Sequence, residues 1–108
     1  MASFDRHAQK AAKNEALMRE VNERIEEVAE EAERPDFLCE CANPDCIETL
    51  TLSLDEYEAI RSSPVRFAVA PGHDFPEIER IVKEGGYVVV EKIGEAARIV
   101  ETLDPRSR

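Results

Sequence analysis

The sequence predicts an α+β fold: a small antiparallel sheet with short helices and a metal-stabilised loop, preceded by a long N-terminal helix. Three observations predict it. Apolar residues recur at helical spacing through the first third of the chain, and short β-like runs broken by turn signals follow from Phe37 onward. Three cysteines, Cys39, Cys41 and Cys46, fall within eight residues. At 108 residues the chain is one domain, or one small domain with an arm. With four Phe, two Tyr and no Trp, its core must come from Val, Ile, Leu and Ala. A chain this short lies near the size at which apolar burial alone is marginal, so a metal, a partner or self-association is expected to contribute.

Residues 8–34 read as one helix. Ala8, Ala11, Ala12, Leu17, Val21, Ile25, Val28 and Ala32 recur at steps of three and four, forming a narrow stripe between charged, helix-favouring residues. Arg34-Pro35 is the expected stop, because the residue before proline is pushed out of the helical region. Such a stripe packs on its own domain, pairs with its copy, or docks another protein. Residues 1–36 are therefore read as an N-terminal amphipathic helical unit, with 1–7 disordered, and residues 37–108 as a small α+β metal-binding domain.

Phe37-Leu38 and Ile47 to Leu52 read as strands flanking the cysteines. Ser53 and Glu56 form a capping box that opens a short helix with Leu54, Tyr57 and Ile60 inward, finished before Pro64. Arg66 to Ala70 is a strand, followed by the turn Pro71-Gly72-His73. Residues 75–84 admit two readings. Asp74 to Glu77 could cap a helix ending at Gly85, or Gly85-Gly86 is a two-residue hairpin loop. The hairpin is preferred, because its register sets Val82 against Val89, Ile81 against Val90 and Ile78 against Ile93. It also pairs Arg80 with Glu91 and Glu79 with Lys92, the charge pairs that sheets favour. Glu95 to Leu103 is the last helix, with Ala96, Ile99, Val100 and Leu103 inward, and 104–108 a polar tail.

Cys39-Glu40-Cys41 places two thiols on the same side of an extended chain. The turn Asn43-Pro44-Asp45 brings Cys46 back toward them. A tetrahedral site needs a fourth ligand, and of the two histidines His73 sits in a tight turn while His7 lies in the expected frayed end. A Cys₃His metal site of Cys39, Cys41, Cys46 and His73 follows, with zinc the natural ion for such a donor set. Three thiolates and Zn²⁺ sum to −1, so backbone N–H groups of the Asn43–Ile47 turn, with Arg61 or Arg66, are expected to neutralise the excess. An iron–sulfur cluster is the alternative cofactor. CDGSH-type proteins hold one with three Cys and one His, but here the third cysteine follows too soon and the histidine too late. A SWIM-type finger requires a Cys-x-His that is absent here.

NEALMREVNERIEE, FLCECANPDCIETLTLSLDEYEAIR, RFAVAPGHDF and YVVVEK together resemble a group of small bacterial proteins of unassigned function. That group combines a charged N-terminal helix with Cys-x-Cys-x4-Cys, EYExxR, Pro-Gly-His and VVEK motifs. The resemblance spans roughly residues 14–106 and implies a shared architecture and a metal site, without supplying an activity.

Fourteen Lys and Arg against twenty-four Asp and Glu give a net charge of −10, which argues against nucleic acid as the partner, since phosphate binding runs on clustered cations. No apolar run reaches the roughly 20 residues of a membrane span, and the N-terminus lacks the apolar stretch of a secretory signal. A cytoplasmic protein with reduced thiols is expected. Nucleophile elbow, phosphate-binding glycine loop and HExxH are all missing. Asp55, Glu56 and Glu58 read as the cap and solvated face of a helix. The expected function is that of a small zinc-binding protein with a structural metal and no catalysis. It would act through a protein partner or as a homo-oligomer via the N-terminal helix. A thiol redox switch with metal release is the alternative, and a metal-dependent enzyme the third reading.

Overall fold

The computed structural model describes residues 2–30, 34–104 and 106, with side chains from Lys13 onward. Helix α1 (Ala2–Val28) leads into a ribbon of β1 (Asp36–Leu38) and β2 (Thr49–Thr51). Next come α2 (Leu54–Arg61), β3 (Arg66–Val69), the hairpin of β4 (Glu79–Lys83) and β5 (Val88–Lys92), and α3 (Gly94–Leu103). The architecture is α+β, and the described residues form two small antiparallel sheets, β1-β2 and β3-β5-β4. No described helix is long and apolar enough to cross a membrane.

Helix α1 is displaced toward the N-terminus from the expected 8–34. It begins at Ala2, within the lead expected to be disordered, and ends at Val28, well before Pro35. Its last turn holds Glu26 and Glu27 and no base, and carboxylates at the negative end of the helix dipole favour termination there. Met1 and Ala32, and the side chains of Ala8, Ala11 and Ala12, lie outside the described set.

The face that α1 turns inward is the larger departure. Ile25 packs on the core, but Leu17 is 53% exposed, Val28 74%, and Val21 also faces out. The buried face consists of Glu15, Arg19 and Asn22. The receiving surface explains this, because it is built from backbone carbonyls and charge. Arg19 lies 3.7 Å from the centre of the Phe67 ring and donates to the carbonyls of Pro64 and Arg66. Lys92 Nζ is held between the carboxylates of Glu15 and Glu79, all three side chains buried. Matching those buried groups outweighs placing a few aliphatic carbons inside, since an orphaned buried polar group costs about 1–3 kcal/mol.

Residues 79–83 form a strand, so the hairpin reading holds, with one correction. Glu79 pairs with Lys92, Arg80 with Glu91 and Ile81 with Val90, and Ile93 N–H donates to the Ile78 carbonyl. An irregularity at Val82 then sets Lys83, not Val82, opposite Val89, and the connection runs through Glu84–Tyr87. Two-residue hairpin turns need positive φ at one or both positions, and neither Gly85 nor Gly86 has it.

The capping box of α2 is present in both directions: Glu56 N–H donates to Ser53 Oγ at 3.1 Å and Ser53 N–H to Glu56 Oε1 at 2.8 Å. This cap brings Tyr57 and Ile60 inward, and the Tyr57 ring stacks on Phe37 at 4.4 Å. Around that pair lie Leu50, Leu52, Phe67, Val69, Val90 and Val100. The segment expected as a polar tail is engaged where it is described. Buried Asp104 accepts from Arg61 at 2.7 Å, and Arg106 pairs with Glu23 on α1 and Glu58 on α2. Residues 105, 107 and 108 lie outside the described set.

The Glu15–Lys92–Glu79 group sets two carboxyl groups against one ammonium out of contact with water, and among the described residues Glu15 Oε1 has no hydrogen-bond partner. Burial, only partly offset by Lys92, raises the Glu15 pKa to about 7. A carboxylate raised in the folded state contributes stability that is full below the unfolded value of 4.5 and lost as pH rises through about 7. Glu15→Gln, which resembles the protonated acid, is therefore expected to match wild type near pH 5 and to gain on it at pH 8. A relative gain on the order of 2 kcal/mol is expected, measured by denaturant unfolding at both pH values.

Candidate metal centre

Beyond Leu38 the chain stays extended. Cys39 N–H donates to the Glu48 carbonyl at 3.0 Å, and Glu40 N–H to the Ala68 carbonyl at 2.8 Å, so this segment crosses from the first sheet to the edge of the second. Alternation of side chains sets Cys39 and Cys41 on one side and Glu40 on the other. Asn43 then reverses the chain. Its side-chain oxygen accepts from Asp45 N–H at 3.0 Å and its carbonyl from Cys46 N–H at 3.1 Å, an Asx-type turn that returns Cys46 to the first pair.

The fourth residue arrives from the far end of β3. Ala70-Pro71-Gly72-His73 closes with His73 N–H on the Ala70 carbonyl at 3.0 Å, with Gly72 at φ 85. Proline second and a positive-φ glycine third is the pattern of a type II turn. His73 Nδ1 then stands 3.6 Å from Cys39 Sγ and 3.5 Å from Cys46 Sγ. One atom from each of Cys39, Cys41, Cys46 and His73 lies within 4.8 Å of all the others. All four residues singled out from the sequence are thus brought together, by three separate local devices.

The spacing suits a single ion. A tetrahedron with bonds of about 2.3 Å has edges of roughly 3.8 Å, close to the sulfur–nitrogen separations here. Cys39 and Cys41 are buried, while Cys46 and His73 are half-buried. The thiols are unpaired by disulfide. Burial pushes the Cys39 thiol well above its ordinary range, partly offset by the Ala70 N–H and reinforced by the charge of its neighbours. Cys41 is raised too, again chiefly by burial. Cys39 and Cys41 would therefore ionise only with a cation among them, and the four residues could hold one.

The neutralising groups differ in part from those expected. Ala70 N–H, at the end of β3, donates to Cys39 Sγ at 3.1 Å, while the backbone of Asn43, in the expected Asn43–Ile47 turn, hydrogen-bonds Cys41 and favours its thiolate. Arg61 is engaged with Glu23 and Asp104, and Arg66 with Glu91, neither at the cysteines. The residue that sequence reasoning passed over is Glu40, wholly buried between two of the cysteines. It accepts from Asn22 Nδ2 at 2.8 Å, Tyr57 OH at 2.8 Å and Ala68 N–H at 3.0 Å. The alternation that placed the cysteines together was the available signal, since it requires Glu40 to face away from them. Glu56 is occupied as a cap and by Arg34, and its carboxyl is held below the usual range chiefly by the Ser53 backbone N–H. Comparison with protein families, curated proteins and solved structures returns no match to this chain.

The positive φ at Gly72 is what presents His73. An added Cβ meets no atom there, so the cost of a side chain is conformational rather than steric. Gly72→Ala is expected to lose about 1 kcal/mol of stability and to weaken metal retention. Gly85→Ala, at ordinary φ with its nearest contact at 3.8 Å, should do neither. Thermal unfolding and metal retention against a competing chelator check both.

Proposed function

We propose that Cys39, Cys41, Cys46 and His73 hold one zinc ion whose role is structural, in a non-enzymatic protein that acts through protein contacts. The observation that carries this reading is the mutual approach of four ligand atoms to within 4.8 Å. Zinc is favoured because thiolate and imidazole together suit a closed tetrahedral site, which leaves no open position for substrate. The groove between α2 and the β4-β5 hairpin, lined by Asp55, Ile60, Arg66, Val82 and Tyr87, is bordered by none of the four. Leu17, Val21 and Val28, exposed on the outer face of α1, supply a surface for a protein partner or a second copy. Elemental analysis and native mass spectrometry of wild type, Cys46→Ser and His73→Ala test the site. One zinc per chain is expected in wild type, lost or severely weakened in both variants. Zinc retained by His73→Ala would replace the Cys₃His assignment, and iron in place of zinc would replace the metal.

A thiol switch is the second reading, and the half-buried position of Cys46 favours it. Oxidation of two of the thiolates by peroxide would join their sulfurs, reduce the peroxide to water and release the metal. A structural site resists mild peroxide, whereas a switch loses zinc within minutes and regains it with reductant. Zinc release followed with a colorimetric chelator distinguishes them.

A further inference from the structure

We propose that Glu40 is a positioning residue that joins the cysteine segment to α1, so that metal occupancy sets whether α1 is docked. The inference rests on the metal reading above and concerns regulation of that site. Helix α1 bonds to three of the four residues Leu38 to Cys41. Asn22 donates to the Leu38 carbonyl at 2.9 Å, accepts from Leu38 N–H at 2.8 Å, and donates to Glu40 Oε2. Asn14 donates to the Cys41 carbonyl at 3.2 Å. Glu40 carries the connection onward, to Tyr57 on α2 and Ala68 on β3.

Apart from Ile25, the inward face of α1 is polar, so its attachment depends chiefly on matching donors to acceptors. Hydrogen bonds weaken steeply with misalignment, and buried groups left unpaired cost more than the bonds gain. A shift of the Leu38–Cys41 segment by a fraction of its strand spacing would unmatch Asn14, Asn22 and Glu40 together. The segment carries two of the four ligands, with Glu40 between them, so a metal on Cys39 and Cys41 fixes the acceptors that α1 reads. By linkage, whatever factor the metal contributes to docking of α1, docking contributes to metal affinity.

Amide hydrogen exchange on the full-length protein tests this, with zinc bound and after removal by a chelator, metal content being measured in each sample. Protection of the α1 amides is expected to fall at least about tenfold on metal removal, while the β4-β5 hairpin keeps its own. Asn22→Ala, which leaves the four ligands and Glu40 in place, should bind zinc about tenfold more weakly and expose α1 even when loaded. Ile78→Ala, a buried residue outside the core cluster that contains Cys39 and Cys41, should lower overall stability without moving zinc affinity. Unchanged α1 exchange after loss of a measured equivalent of zinc would overturn the coupling and leave the metal site standing. So would wild-type zinc affinity in Asn22→Ala. A folded wild-type chain that takes up no metal would instead overturn the site, and the coupling with it.

Discussion

A carboxylate with no exposure to solvent stands between two of the cysteines, and three elements converge to satisfy it. An isolated ionised carboxylate in a protein interior is prohibitive unless hydrogen bonds and opposite charge replace its water. Glu40 receives a side-chain amide from α1, a phenol from α2 and a backbone amide from β3. Burial, and then the Glu40 charge itself, push the Tyr57 hydroxyl far above its ordinary range, which keeps it a donor. Arg19 lies close enough for its charge and that of Glu40 to stabilise one another. Because these partners come from distant parts of the sequence, satisfying Glu40 fixes how α1, α2 and the second sheet sit together.

The same constraint explains the inverted helix. Periodicity identified α1 as amphipathic and its stripe of Leu17, Val21 and Val28 as the natural contact face. Periodicity measures only where the apolar residues lie, not what the opposing surface offers. Here that surface presents Glu40, Lys92 and the carbonyls of Leu38, Cys41, Pro64 and Arg66, and the helix answers with Asn14, Glu15, Arg19 and Asn22. Aliphatic positions are consequently left outward, where they are free to serve another contact.

Elements governed by local chemistry were legible from the sequence. The Ser53–Glu56 cap, the Pro71-Gly72 turn and the Asn43 turn each follow from side chains a few residues apart, and each is present. The convergence of Cys39, Cys41, Cys46 and His73 could be read because it needs only those turns and one strand. The hairpin was legible as far as its charge pairs, Glu79–Lys92 and Arg80–Glu91, but not at the irregularity beside Val82, which depends on how the loop closes. Alternation signalled that Glu40 faces away from the cysteines, but neither its burial nor that of Asp104 could be read, since a carboxylate becomes tolerable inside only through partners that the chain assembles on folding.

Charge ties the proposed metal to the exposure of its site. With Zn²⁺ in place, three thiolates leave the centre at −1, and Glu40 adds another negative charge on the opposite side of the strand. Arg19 counters the second, and the Ala70 N–H stabilises Cys39. The Asn43 backbone does the same for Cys41, and water would reach the remaining excess at the half-buried edge formed by Cys46 and His73. A site closed on all sides would lack that solvation, and one open on all sides would not hold the Leu38–Cys41 segment in place. The edge that lets solvent carry the surplus charge is also the edge at which an oxidant would meet a thiolate. In the proposed metal-bound form, structural holding and thiol reactivity would both turn on one geometric feature, the half-exposure of Cys46.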